Sequence, residues 1–160
     1  MTRLDSTPVD HDIGLQITLA SRALTKRRAG RLRVRYLTPK GATALVLVDA
    51  NPGITQAELA RYFGNGRTTM HGIVQELLGA GLLDGQAKVE RGQALALHVT
   101  PKGKAAVSFE LEAIDAQFEF CCEVIGRAAT VQLMDHLQTL CAAAEAIRAA
   151  PMLTITGQEP

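Results

Sequence analysis

The chain has 160 residues, of which 47% are apolar and only 4% aromatic, with no Trp. Much of the apolar share is Ala, which suits close-packed helices better than a β-sandwich, and the length suits one packed core, so we predict a mainly α protein. No stretch reaches the roughly 18 uncharged apolar residues of a membrane span, and the first residues lack a signal-peptide pattern. We therefore expect a cytoplasmic protein with no membrane partner.

The net charge of +1 hides an asymmetry along the chain. Residues 1–104 hold 15 Lys and Arg against 8 Asp and Glu, whereas residues 105–160 hold 2 against 8. Between Ile13 and Val48 there are eight basic residues and no acidic one. Such a basic run is either a solvated face or a phosphate-binding surface. The charge difference between the two parts of the chain fits a basic DNA-reading part joined to an acidic helical part.

Two helices are predicted after a loose arm over residues 1–11. The first covers about 12–29, where Asp10 or Asp12 can cap it and Gly30 ends it. The second covers about 39–50, because Thr38 is a good cap and proline fits the first helical position after it.

The next two helices are predicted from a capping box and an apolar stripe. Thr55 and Glu58 have the T-x-x-E spacing in which each side chain bonds the other's backbone amide. This third helix stops at residues 64–66, Gly-Asn-Gly, where both glycines permit positive φ. The fourth helix covers about 67–80, ends before Gly81, and carries inward-facing apolar residues at helical spacing, namely Met70, Ile73, Val74, Leu77 and Leu78.

A β-hairpin is predicted next, because the hydrophobic period changes from about 3.6 to 2. Leu95, Leu97 and Val99 alternate with smaller or polar residues, which indicates a strand with these three side chains inward. We expect residues 87–90 to be its partner strand, with Arg91 near the tip.

Two long helices are predicted after Thr100 and Pro101, separated at Gly126 and closed by Pro151. Each has an apolar stripe at spacings of 3 and 4 of the kind used in helix–helix association. The stripes are Val107, Leu111, Ile114, Phe118, Cys121 or Cys122, and Ile125, followed by Leu133, Leu137, Leu140, Ala144 and Ile147.

Helix, glycine turn, amphipathic helix and hairpin, within residues 55–99, form the architecture of a winged helix-turn-helix. The outer side of the fourth helix would enter the DNA major groove, and we call it the reading face. It comprises Arg67, Thr68, Thr69, His71, Gly72 and Gln75. Arg67 suits guanine or phosphate, the Thr hydroxyls suit phosphate or bases, and Gly72 allows close approach. Thr55 and, in the wing, Lys88 and Arg91 complete the predicted DNA contacts. The alternative is a winged helix that docks proteins and has little affinity for DNA.

Several segments together resemble the multiple-antibiotic-resistance regulator (MarR) family of bacterial transcription factors over about residues 12–150. They are Leu37-Thr38-Pro39, the run from Asn51 to Ala60, Thr68-Thr69-Met70, Gly81-Leu82-Leu83, and Val99-Thr100-Pro101-Lys102-Gly103. The resemblance implies a single domain with a winged helix-turn-helix over about 37–100, dimerisation helices over about 12–29 and 101–150, and a tail over 151–160. It also implies a homodimer that binds a palindromic operator and represses transcription until a small ligand or an oxidant weakens binding.

The sequence departs from the family pattern at two places. An Asp-x-Arg pair common in the wing of the family is replaced by Arg91 and Gln93, so Arg91 would have to substitute. Gly72 lies at a position where many family members have a basic residue. The DNA contacts of this helix would therefore depend more on Arg67 and His71.

A ligand pocket between the dimer helices and the DNA-reading part is a further implication of the resemblance, often for aromatic or phenolic acids. Its candidate residues are His11, Arg31, Arg33, Tyr36 and Phe118, where an Arg could pair with a carboxylate. Alternatively, the Arg residues bind phosphate and Phe118 belongs to the core.

Other function classes have weaker support. The cysteines, Cys121, Cys122 and Cys141, suggest a reducing compartment and packing roles, and Glu119 and Glu123 disfavour the thiolate that a redox-responsive regulator needs. His136, Cys141 and Glu145 lack tight metal-ligand spacing. No nucleophile elbow, phosphate loop or dinucleotide fingerprint is present, so we expect neither an enzyme nor a cofactor.

Overall fold

The computed structural model describes residues 7–29, 37–64, 66–87 and 95–149. The chain divides into two compact units, residues 1–117 and residues 118–160, and each is described by itself. After a short 3-10 turn, the elements in chain order are α1 Ile13–Ala29, α2 Pro39–Ala50, α3 Gln56–Tyr62, α4 Arg67–Gly79, β1 Leu83–Ala87, β2 Leu95–Val99, α5 Pro101–Ile125 and α6 Arg127–Ala149. This confirms the prediction of a mainly α fold with a small β-hairpin wing.

The first two helices begin where their caps predict. Asp12 Oδ1 accepts a hydrogen bond from the Leu15 amide at 2.9 Å, and Thr38 Oγ1 accepts from the Gly41 amide at 3.1 Å. Each cap satisfies an amide that the helix itself leaves without a partner.

The hydrophobic core of the first unit lies where α2, α3, α4, the hairpin and the start of α5 meet. The predicted inward side of α4 is confirmed, since Met70, Ile73, Val74 and Leu77 are buried. Burying each such side chain stabilises the fold by about 1.5–3 kcal/mol. This core holds α4 by its inner side and leaves the opposite side exposed. The largest fully buried side chains are Leu45, Leu59, Met70, Leu77, Leu97, Val48 and Val74.

The hairpin is confirmed, but its first strand lies earlier than predicted. β1 pairs antiparallel with β2, with Leu83 opposite Val99 and Ala87 opposite Leu95. Gly81, with φ +66°, follows the end of the helix. Leu82 and Leu83 come directly after it and are buried, so the strand begins here rather than at residue 87. Of the partner strand expected at residues 87–90, only residue 87 lies within the described residues.

The expected alternation along β2 is wrong at its start. Leu97 is buried, but Leu95 is 41% exposed and Ala96 is only 8% exposed. The reason is a third segment of backbone that pairs with β2. The Leu97 amide donates to Ile54 O at 3.0 Å, and Thr55 forms a β-bridge with Ala96. Ala96 is covered by this segment, whereas Leu95 lies beyond it.

The start of α5 is fixed against the end of α4. Thr100 Oγ1 donates to Gly81 O at 2.7 Å and accepts from the Gly103 amide at 3.0 Å. Lys102 Nζ donates to Ala80 O at 2.7 Å, which satisfies a carbonyl at the helix end. The Thr100–Gly103 segment therefore orients the wing and α5 relative to α4.

A buried ion pair joins α1 to α5. Arg28 pairs with Glu110, whose side chain is only 2% exposed. Burial lowers the pKa of Arg28. A second pair, between Lys104 and Asp49, joins α5 to α2 and is more exposed.

Both units expose apolar side chains along their helices. Ile13 is 65% exposed on α1, and Leu140 and Ile147 are 53% and 77% exposed on α6. Of the predicted α6 stripe, Leu137 is half-buried, and the other four members, Leu133, Leu140, Ala144 and Ile147, are exposed. Two of the cysteines, Cys121 and Cys122, are half-buried, but Cys141 is exposed, so its expected packing role is not met within the chain.

No helix in the described ranges is both long and apolar enough to cross a membrane.

Candidate nucleic-acid interface

The capping box at the start of α3 is formed as predicted. The Glu58 amide donates to Thr55 Oγ1 at 3.3 Å, and Glu58 Oε2 accepts from the Thr55 amide at 2.8 Å. Thr55 Oγ1 also donates to Glu58 Oε2 at 2.7 Å. The Thr55 hydroxyl therefore serves the helix cap, and any DNA contact by it would share the hydroxyl with that role.

The turn between α3 and α4 uses its two glycines differently. Gly64 has φ +60°, the left-handed conformation expected there. Gly66 has φ −61°, so it does not use the positive φ that a glycine permits. Gly66 is instead the N-cap of α4, where an extended backbone is normal.

Because Gly66 has no side chain, the first amides of α4 receive no side-chain cap. A helix start with uncapped amides carries partial positive charge and suits a phosphate oxygen. Arg67, the first residue of the helix, is exposed at the same place. This end of α4 therefore combines the charge of the exposed Arg67 with backbone amides that Gly66 does not cap.

The structure brings the predicted reading face together on one exposed side of α4. Its members are Arg67, Thr68, Thr69, His71, Gly72 and Gln75, all exposed. Apart from the adjoining backbone of α4 itself, no atom lies within 4 Å of the position that a Cβ would occupy at Gly72, so this part of the helix surface is open. Glu76, expected to be unfavourable near phosphates, is also exposed.

One residue at this site was missed by the sequence analysis. Gln56, the first residue of α3, donates from Nε2 to Arg67 O at 3.3 Å. Its Oε1 lies 3.2 Å from His71 Nδ1. The two hydrogen-bonding contacts join residues that are 11 and 15 positions apart in the sequence, so no local sequence pattern predicts them. The available signal is a polar residue directly after the cap of the helix that supports α4.

A groove runs between this helix pair and the wing. Its lining residues are Thr55, Gln56, Ala57, Arg67 and Val74, together with Leu95 and Leu97 of β2. The exposure of Leu95, unexpected from the sequence, thus gives the groove an apolar wall.

Several predicted site residues lie outside the described residues. These are Lys88 and Arg91 of the wing, and Arg31, Arg33 and Tyr36 of the proposed ligand pocket.

The two remaining ligand candidates differ in their surroundings. His11 is exposed, in the turn before α1. Phe118 is half-buried, with the Arg127 guanidinium 5.4 Å from its ring centroid. Arg127 is held in turn by both carboxylate oxygens of Glu119 at 2.8 Å, and this contact raises the pKa of Arg127. The ring thus already has a cationic neighbour from its own unit.

Within the part of the chain that the structure describes, no three His, Cys, Asp or Glu side chains lie close enough to hold a metal ion.

The fold has many solved counterparts. The transcriptional repressor CouR bound to a 23-mer DNA duplex shares 23% identity and a TM-score of 0.79, covering 88% of this chain and 99% of that one. CouR bound to p-coumaroyl-CoA shares 24% identity and a TM-score of 0.77, covering 87% and 98%. The PcaV transcriptional regulator from Streptomyces coelicolor, in complex with its natural ligand, shares 19% identity and a TM-score of 0.70, covering 90% and 99%.

The sequence itself matches a family model over residues 37–93, which contain α2, α3, α4 and β1. No curated protein matches the sequence significantly. The matched model is that of the MarR family, and the solved proteins that share the fold include transcriptional regulators. Over residues 37–93 the chain is therefore similar to the MarR family, and over most of its length it shares the fold of solved regulators, MarR among them.

Proposed function

We propose that this chain is a homodimeric, sequence-specific DNA-binding regulator that represses transcription and is released by a small aromatic acid or phenolic ligand. The observation that carries the DNA-binding role is the exposed, polar side of α4 beginning at Arg67 with uncapped backbone amides. The solved complex of CouR with a DNA duplex, which has the same fold, supports this choice. A DNA partner also implies that the protein acts in the cytoplasm.

The residues of the reading face have distinct proposed roles. Arg67 and the first amides of α4 bind a phosphate or a guanine edge. Thr68 and Thr69 donate to phosphate oxygens, while His71 and Gln75 face base edges. Gly72 lets the helix lie close to the bases. Among the outlying contacts, Thr55, Lys88 and Arg91 are proposed to touch the backbone on either side.

Dimerisation is proposed from the apolar helix surfaces that the chain leaves exposed. Ile13 and Ile17 on α1, and Leu133, Leu140 and Ile147 on α6, are each at least 42% exposed. Monomeric soluble proteins rarely expose contiguous apolar patches of large area, and a second copy is the simplest cover. A two-fold dimer would present two copies of α4 to two half-sites, which is why a palindromic operator is proposed.

The effector is proposed by analogy with the solved complexes. CouR has been solved with p-coumaroyl-CoA and PcaV with its natural ligand. Our candidates for an effector site in this chain remain His11, Arg31, Arg33, Tyr36 and Phe118. A thermal-shift screen of aromatic acids and their thioesters tests this, because a ligand at ~100 times its dissociation constant stabilises by about 2.7 kcal/mol. A screen without any shift would contradict the ligand proposal.

The DNA-binding role is tested by footprinting the protein on the DNA that flanks its own gene. We expect a protected site on the DNA with two-fold symmetry. The affinity of the protein for that DNA should fall at least tenfold in Arg67→Ala, which is the loss expected for one charge-assisted hydrogen bond. Arg127→Ala is the matched control, because it removes an exposed Arg outside the helix-turn-helix. Absence of any protected site, or equal loss in both variants, would favour a protein-docking winged helix instead.

A further inference from the structure

The contacts of Gln56 fix which of its amide atoms faces which neighbour. A backbone carbonyl can only accept a hydrogen bond, so the Gln56 atom 3.3 Å from Arg67 O is the amide nitrogen Nε2. The other amide atom, Oε1, is therefore the one that lies 3.2 Å from His71 Nδ1.

The orientation of Gln56 in turn fixes the proton on His71. Oε1 of an amide is an acceptor only, so Nδ1 of His71 must carry the hydrogen that joins them. In a neutral imidazole with its proton on Nδ1, the opposite nitrogen Nε2 has a free lone pair. His71 then presents a hydrogen-bond acceptor.

His71 stands on the reading face, one helical turn after Arg67 and one before Gln75. In the major groove, cytosine N4 and adenine N6 are donors, whereas guanine O6 and N7 and thymine O4 are acceptors. An acceptor at Nε2 matches the first pair of bases and repels the second pair.

We propose that Gln56 is a positioning residue that holds His71 with its proton on Nδ1, so that His71 selects cytosine or adenine in the operator. This inference rests on the proposed DNA-binding function and adds the base preference of one residue to it. The contact also immobilises the imidazole before DNA arrives, which lowers the entropy cost of the base contact.

The tautomer is tested without DNA, on the full chain. Long-range 1H–15N NMR of the histidine rings, with the His71 signal assigned by its loss in His71→Ala, should show the proton on Nδ1. Gln56→Met keeps the side-chain length but removes both hydrogen bonds, and it should move the signal toward the Nε2–H form. Gln138→Met, on an exposed part of α6, should leave it unchanged. A proton on Nε2 in the unsubstituted protein would overturn the proposal.

The base preference is tested with duplexes in which each base pair of the footprinted site is inverted in turn. At one position, cytosine or adenine should be preferred by the unsubstituted protein, and the preference should fall roughly fivefold in both Gln56→Met and His71→Ala, the value of one hydrogen bond. The double variant should be no worse than either single variant. A preference for guanine or thymine at the position that His71→Ala affects, or an unchanged preference in Gln56→Met, would contradict the proposal.

The two experiments separate the two claims. If the protein binds no DNA, the proposed function and the base selection fail together, while the NMR result still decides whether Gln56 sets the tautomer. If the protein binds DNA but the NMR shows the other tautomer, only the inference about Gln56 fails.

Discussion

At the scale of single residues, two helical glycines have opposite surroundings. A Cβ at Gly103 would lie 2.1 Å from Leu82 O and 2.7 Å from Val99 Cγ1, so α5 can pack here only without a side chain. Apart from the adjoining backbone of α4 itself, a Cβ at Gly72 would meet no atom within 4 Å. Gly103 thus serves packing, whereas no packing contact within the described structure accounts for Gly72.

The same substitution should therefore have opposite effects at these two positions. We expect Gly103→Ala to destabilise the fold by about 1–3 kcal/mol, because the obstructing atom is backbone and cannot rotate away. Gly72→Ala should stabilise it by about 0.5–1 kcal/mol, as in an exposed helix interior, and should weaken DNA binding by holding the helix away from the bases. Urea unfolding at one fixed protein concentration, with DNA titration of Gly72→Ala, measures both. Equal destabilisation by the two variants would contradict this reading of the site.

The exposure of the reading face was predictable, but its internal contacts were not. Apolar residues at Met70, Ile73, Val74 and Leu77 recur with the helical period, so the opposite side of α4 follows from the sequence alone. The bridge through Gln56 joins positions that are far apart in sequence. It depends on how α3 crosses α4, which no local pattern specifies.

At the scale of secondary-structure elements, α3 is only seven residues long and depends on its cap. Isolated helices of this length are unstable in water, because forming the first turn fixes the backbone dihedrals of several residues in return for a single hydrogen bond. The reciprocal bonds of Thr55 and Glu58 therefore matter more here than they would in a long helix.

Removing the cap should destabilise the helix pair. We expect Thr55→Ala to lower the free energy of unfolding by about 1 kcal/mol, because the hydroxyl that accepts from the Glu58 amide and donates to Glu58 Oε2 is lost. Thr55→Ser, which keeps the hydroxyl, should restore most of it. Thr139→Ala is the control, since that hydroxyl only bonds Asp135 O within α6. The three variants are compared by urea unfolding, and an unchanged stability in Thr55→Ala would show that the capping box contributes little.

The pairing of α1 with α5 depends on a buried charge. Glu110→Ala leaves Arg28 buried without its partner, and we expect a loss of about 3–5 kcal/mol. The double replacement of Arg28 by Met and Glu110 by Leu should recover most of this, because no charge then remains inside. Thermal or urea unfolding of the single and double variants measures the difference. A double variant as unstable as Glu110→Ala would show that packing rather than charge sets the loss.

Helix ends were predicted well because their signals are local. Asp12, Thr38 and Thr55 each cap the helix that follows, as their sequence neighbours indicate. The wing was predicted less well, because strand register depends on pairing with distant backbone. The β-bridge between Thr55 and Ala96 covers Ala96 and leaves Leu95 exposed. A period-two hydrophobic pattern does not predict this bridge.

At the scale of the whole molecule, the chain combines a basic N-terminal part with an acidic C-terminal part. The apolar side chains left exposed on α1 and α6 are spread over both compact units. The proposed function places these side chains against a second copy of the chain.

Dimerisation gives a prediction of its own. Sedimentation at micromolar concentration should show a species of twice the chain mass of 17.1 kDa. Leu140→Glu, which places a charge in the exposed stripe of α6, should shift the population toward monomer. Gln138→Glu, an exposed polar position of the same helix, should not. A monomer in the unsubstituted protein would contradict the role assigned to these helices.

The most direct test of the central claim is the salt dependence of DNA binding. If α4 and its basic neighbours bind phosphates, the logarithm of the association constant should fall linearly with the logarithm of salt concentration, by about 0.9 for each phosphate neutralised. Arg67→Ala should make that slope shallower by about 1, whereas Arg127→Ala should leave it unchanged. Binding that does not weaken as salt rises, or a slope that Arg67→Ala does not alter, would contradict the assignment of this surface to DNA.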